Sequence, residues 1–185
     1  MYFNNFQYLK NKKIFLLSFL ILSSALIRIP IIIFYGDASL ENEWKILVSN
    51  LILYNELSFR NLDGFLLPNL YMPPLYAYYL YFFSVFNLDE QSYIQLILYS
   101  QILLASISIP IFYKINTIFF STKTSFYSSL LFSFFPLHVY ACSQISSISL
   151  QVFLGILFFY FFFQIVDKKN ILSIFIFSII SGLLI

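Results

Sequence analysis

Charge is scarce in this chain. Only 10% of its 185 residues are Asp, Glu, Lys or Arg, while 61% are hydrophobic. Ordinary soluble domains carry roughly 25% charged residues. A chain of this length cannot hide so much apolar surface inside a globule, so the composition excludes a soluble domain and calls for an integral membrane protein. A net charge of +2, with no basic run, gives no sign of nucleic acid as a partner. Cysteine is represented by Cys142 alone, which excludes an internal disulfide framework, and with one His the chain holds no Cys/His zinc pattern. Glycine is also rare, at four residues, and no internal repeat or Gly/Ser linker is present. The richness in Phe, Tyr, Ile, Asn and Lys points to an AT-rich, bacterial genome.

What is present is a series of apolar runs. The first extends from Ile14 to Tyr35 behind Lys10, Lys12 and Lys13. At about 22 residues it is long enough to cross a bilayer and too long for a signal-peptide core. Further runs are expected at 93–113, 125–141 and 148–166. A last one, 171–185, reads as a span cut short, which makes the chain an N-terminal fragment by this reading. The basic residues lie between these runs, at Lys114 and Lys123 and at Lys168 and Lys169.

The stretch "MPPLYAYYLYFFSVF" (72–86) decides the topology. If it crossed the membrane, every later basic loop would fall on the side opposite to Lys10–Lys13. If it does not, all of them are cytoplasmic, as the positive-inside rule requires. About 13 residues after Pro73 give roughly 20 Å of helix, short of the ~30 Å hydrocarbon core. Pro73-Pro74 therefore starts a re-entrant or interfacial helix, since proline is tolerated in a first turn. The N-terminus lies inside, and residues 36–92 form one outer loop. That loop holds Asp37, Glu41, Glu43, Glu56, Asp63, Asp89 and Glu90, seven of the eight acids. Within it, Leu40, Trp44, Leu47, Val48, Leu51 and Tyr54 recur at helical spacing. They predict an amphipathic helix on the outer surface, capped by Ser39, with Trp44 at the interface and a Glu41–Lys45 pair on the polar side. Asp63-Gly64 signals a turn, and any strands around it are short. The fold class is thus all-α: a polytopic transmembrane helix bundle with an outer loop carrying interfacial helices.

Four segments in order resemble the GT-C glycosyltransferases, in particular the bacterial relatives of protein O-mannosyltransferases and of lipid A aminoarabinose transferase. They are Gly36-Asp37, "EWKILVSNLI", "MPPLYAYYLYFFSVF" and "SFFPLHVYACSQISS" (133–147). The resemblance covers nearly the whole chain. It implies transfer of a sugar from a polyprenyl-phosphate donor to a lipid, glycan or protein acceptor on the outer face of the bacterial cytoplasmic membrane. In several relatives an acid stands four residues before the aromatic of the second segment. That position is Leu40 here, with Asp37 three residues further back and Glu41 and Glu43 nearby. Where relatives often carry an acid after the fourth segment, this chain has Ser146-Ser147.

The resemblance makes Asp37 the candidate general base, against a plain loop or capping Asp. Glu41 and Glu43 are candidate partners or metal ligands, against simple charges at a helix N-terminus. The cofactor is left open, a divalent metal included. Arg28 lies about two turns inside the first run, where a charge is costly and marks function by default. It either binds the donor phosphate, pairs with an outer acid, or snorkels to the surface. Arg60 and Lys45 read as ordinary surface charges or as phosphate contacts. His138 is either a donor to a phosphate oxygen or a hydrogen-bonded structural His. A flippase of lipid-linked sugars would need ionisable groups deep in several spans, and Arg28 is the one Asp, Glu, Lys or Arg in the apolar runs. A non-catalytic scaffold would not need acids beside the first span. Transfer chemistry is the expectation that uses most of these features.

Overall fold

The computed structural model describes residues 2–40, 42–60, 64–69, 72–168 and 170–184. Side chains are described outside 2–13, 42, 60 and 168. The fold is an all-α bundle. Helix α1 spans Tyr2–Tyr35, α2 Asn42–Tyr54, α3 Pro74–Ser84, α4 Glu90–Phe119, α5 Thr122–Ser133, α6 Pro136–Ala141, α7 Ile148–Lys168 and α8 Ile171–Leu183. Three of them contain stretches long and apolar enough to cross a membrane: Ile14–Tyr35, Glu90–Phe119 and Ile148–Asp167. Helix α4 is central, packing against α1, α5 and α7, while α8 packs against α7.

The stretch 125–141, expected as one span, is broken into α5 and α6. The cause is Pro136. It sits in the first turn of α6 and leaves Phe135 at φ −62° and ψ 116°, outside the helical region, as a residue before proline is pushed to be. Helix α5 is bound to its neighbours through a serine face. Ser125, Ser129 and Ser133, four residues apart, are all buried, and such small side chains let helix backbones approach closely in an apolar setting. Ser121 caps the helix, accepting from the Thr124 N–H at 3.2 Å.

The segment between α1 and α4 forms a cap over one end of the bundle. Helix α2 does not lay its stripe on an open surface, as the spacing predicts. Leu47, Val48 and Leu51 are buried by protein, and Trp44 meets the Tyr76 ring edge-on at 4.8 Å. Ser58–Arg60 (β1) pairs antiparallel with Leu66–Pro68 (β2). Asn50 Nδ2 ties this ribbon to α2 by donating to the Ser58 carbonyl at 2.7 Å. Gly64, at φ +83°, takes a backbone conformation that favours glycine. Helix α3 has 11 residues, about 16 Å of rise. Beyond its C-cap Val85, the chain turns at Asn87 with φ +50°, a left-handed conformation that Asn tolerates. Asp89 then caps α4 by accepting from the Ser92 N–H at 3.1 Å. The expected Glu41–Lys45 pair involves Glu41, which lies outside the described residues. Lys45 Nζ lies 3.9 Å from Glu90 Oε1 at the head of α4.

Candidate functional site

Gly36 is where the chain leaves α1. Its N–H donates to the Ile32 carbonyl at 2.9 Å, and a Cβ at this position would overlap that same carbonyl oxygen. The turn it permits sends Asp37 toward the segment joining α6 to α7. The Asp37 N–H donates to the Ser143 carbonyl at 3.0 Å, and its Oδ2 accepts from the Ile145 N–H at 2.6 Å. Gln144 completes the clamp. Its Nε2 donates to the Tyr35 carbonyl at 3.0 Å, while its own carbonyl accepts from Gln101 Nε2 at 3.1 Å. The end of α1 is thus fixed to residues more than 100 positions away.

Asp37 is half-buried and borders two cavities. One, of about 290 Å³, is lined by Asp37, Ser39, Trp44, Gln144 and Ile145. The other, of about 530 Å³, is lined by Asp37, Glu90, Gln91, Gln95 and Tyr99. Two carboxylates therefore share the larger cavity. In the sequence Glu90 is one more outer acid, with no role of its own. Its sharing a cavity with Asp37, 53 positions earlier, comes from the packing of α1 on α4 and carries no local signal. Glu43 is exposed in the first turn of α2 and lines neither cavity. Glu41 and the side chain of Arg60 lie outside the described residues. Among the described residues no three His, Cys, Asp or Glu side chains come together as a metal site.

A second polar centre lies deeper. Arg28 is fully buried, with no exposed surface. Its Nη1 donates to the Ser24 carbonyl at 2.9 Å, to Ser24 Oγ at 2.6 Å and to the Ser133 carbonyl at 3.1 Å. Its Nη2 lies 3.1 Å from His138 Nδ1. None of these partners is an acid, and the side chain does not snorkel to the surface. The Ser133 carbonyl belongs to the last residue of α5, where four carbonyls lack intrahelical donors. Arg28 thus acts as a cap supplied by another helix, placing its charge at the negative end of the α5 dipole. It also bridges the α5–α6 break, bonding Ser133 before it and His138 after it. His138 is buried, and Phe132 stacks on its ring at 4.9 Å. The sequence suggests both residues as separate phosphate contacts; the structure joins them to each other.

Comparison of the chain with protein-family models, with curated proteins and with solved structures returns no match.

Proposed function

We propose that this chain is a membrane glycosyltransferase that moves a sugar from a polyprenyl-phosphate donor to an acceptor hydroxyl at the outer membrane face, with Asp37 as general base. The observation that carries this reading is the setting of Asp37. It stands at the end of an apolar helix, where a lipid-borne substrate meets water. One carboxylate oxygen is fixed by the Ile145 N–H, and the side chain opens on two cavities. A base held in one orientation beside a pocket is what proton abstraction needs. In the proposed step the Asp37 carboxylate takes the acceptor hydroxyl proton as that oxygen bonds to the sugar C1. The C1–O bond to phosphate breaks with inversion, and the lipid phosphate leaves with the bonding electrons. Glu90 offers a second carboxylate on the larger cavity, in the role that Ser146-Ser147 cannot fill.

The test is sugar transfer in vesicles from a polyprenyl-phosphate-linked sugar, with Asp37→Asn as the diagnostic variant. The amide oxygen still accepts from the Ile145 N–H, so the fold is kept while the base is removed. Loss of turnover with donor binding retained supports the reading. Full turnover in Asp37→Asn, Glu43→Gln and Glu90→Gln alike overturns it, and a flippase or scaffold takes its place.

A further inference from the structure

The larger cavity beside Asp37, of about 530 Å³, changes character along its length. Gln91, Gln95 and Tyr99 line it from α4, at four-residue steps that share one helix face. From Glu90 to Tyr99 this wall descends about 14 Å along the helix axis. Helix α1 meets it at Gly36, where an added Cβ would come within 3.2 Å of Leu98 Cδ1. Asp37, Glu90 and Gln91 stand at the helix ends, while Ile33 and Tyr99 lie farther in. Both inner residues are exposed, on helices able to cross a membrane. Helix α4 has 30 residues, about 45 Å against a hydrocarbon core of ~30 Å. With the core centred on the helix, Glu90 and Gln91 stand level with lipid heads and Tyr99 stands among the chains. The order of the walls, polar and then apolar, is the order of a lipid.

Charge narrows the head. Among the described residues two carboxylates line this cavity and no base does, so a phosphate here would face two like charges. Lys45 Nζ, 3.9 Å from Glu90 Oε1, lies outside the lining and offsets part of the Glu90 charge. A cationic head therefore gains less than two bare acids would offer. Carboxylates accept hydrogen bonds, and glutamine amides both donate and accept. Gln91 and Gln95 are exposed and within reach of a ligand. Hydroxyls match this set, since each donates and accepts without carrying charge.

We propose that this cavity binds a lipid with an uncharged, hydroxyl-rich head, of the glycosyl diacylglycerol class. Head hydroxyls donate to Asp37 and Glu90 and exchange hydrogen bonds with Gln91 and Gln95. The chains descend past Ile33 and Tyr99. That this lipid is the sugar acceptor rests on the proposed function; its binding does not.

The test uses the full 185-residue chain in phosphatidylcholine vesicles, with a monoglucosyl diacylglycerol that carries a diazirine in one acyl chain. Photolabelling, mapped by peptide mass, should fall on Ile33 or Tyr99, saturate, and be competed by the unlabelled glucosyl lipid. Phosphatidylcholine, phosphatidic acid and an ammonium-headed lipid with the same diazirine chain should each label this face at least about tenfold less, a preference worth roughly one hydrogen bond. Equal labelling by phosphatidylcholine means bulk lipid only and overturns the proposal. Equal or stronger labelling by the phosphatidic acid or the ammonium lipid overturns it too. Competition by free glucose at the same concentration makes the ligand a soluble sugar, with the same consequence. Gln91→Leu combined with Gln95→Leu changes two exposed positions and should abolish the preference while phosphatidylcholine labelling stays as it was. A preference that survives both changes overturns the proposal. Sugar transfer to the glucosyl lipid is scored separately. Saturable labelling without transfer leaves the site standing and removes its link to Asp37 as base; transfer without selective labelling removes the site and leaves Asp37 as base.

Discussion

Helix α1 and the turn that follows it make two charged connections to the same distant segment, and they are opposites. Arg28 reaches Ser133 and His138 from inside the bundle with no exposed surface. Asp37, nine residues later, reaches Ser143 and Ile145 from its rim and opens on cavities. Both bind backbone groups that the breaks around α6 leave unpaired. The difference lies in what remains after those bonds are made. Arg28 is sealed from the surface, so it can act only through a neighbour. Asp37 Oδ2 is held, and its other oxygen has no hydrogen-bond partner among the described residues, so it can meet a substrate. Burial, more than residue type or depth in the sequence, separates a charge sealed among protein groups from one left open to a cavity.

The contrast is broken most sharply at Asp37. Asp37→Asn should lower turnover by roughly 10²–10⁴-fold, the usual contribution of a general base, with little change in thermal stability. A large loss of stability with unchanged turnover per folded molecule would make Asp37 a clamp like Arg28. The reverse pattern is expected at Arg28. Arg28→Ala strips the donors from the Ser133 carbonyl and His138 Nδ1 and should cost about 3 kcal/mol, measured by reversible unfolding in micelles. An unaltered unfolding midpoint would mean that the α5–α6 break holds without it.

Smaller effects sharpen the comparison. Gln144→Ala removes the bond to the Tyr35 carbonyl and should destabilise by about 1 kcal/mol. Lys45→Ala breaks an exposed pair at 3.9 Å and should change stability by less than about 0.5 kcal/mol. The smallest effect is at Asp89. The Ser92 hydroxyl and N–H hold its carboxyl below the ordinary value. The cap is therefore fully present above the usual carboxylate range and is lost as pH falls through the lowered value. Asp89→Asn should flatten that acid limb of the stability profile and leave the neutral region nearly unchanged.

Composition alone settled the class of this protein, because 61% hydrophobic residues leave a bundle of apolar helices as the way to satisfy the backbone away from water. Local rules placed most of the helices as well. Pro73-Pro74 starts α3, the Asp63-Gly64 signal falls between β1 and β2, and the spacing from Leu40 to Leu51 gives the buried side of α2. The interruption at Phe134–Phe135 was also written locally, in Pro136, but a continuous apolar run hid it, since hydropathy does not register a missing N–H. What the sequence could not decide is pairing. Arg28 and His138 are 110 positions apart, Asp37 and Ile145 are 108 apart, and Glu90 meets the Asp37 cavity from another helix. Nothing in a residue's own neighbourhood encodes such a partner. It is fixed when helices pack side by side and each buried polar group must find whatever donor or acceptor the facing helix presents.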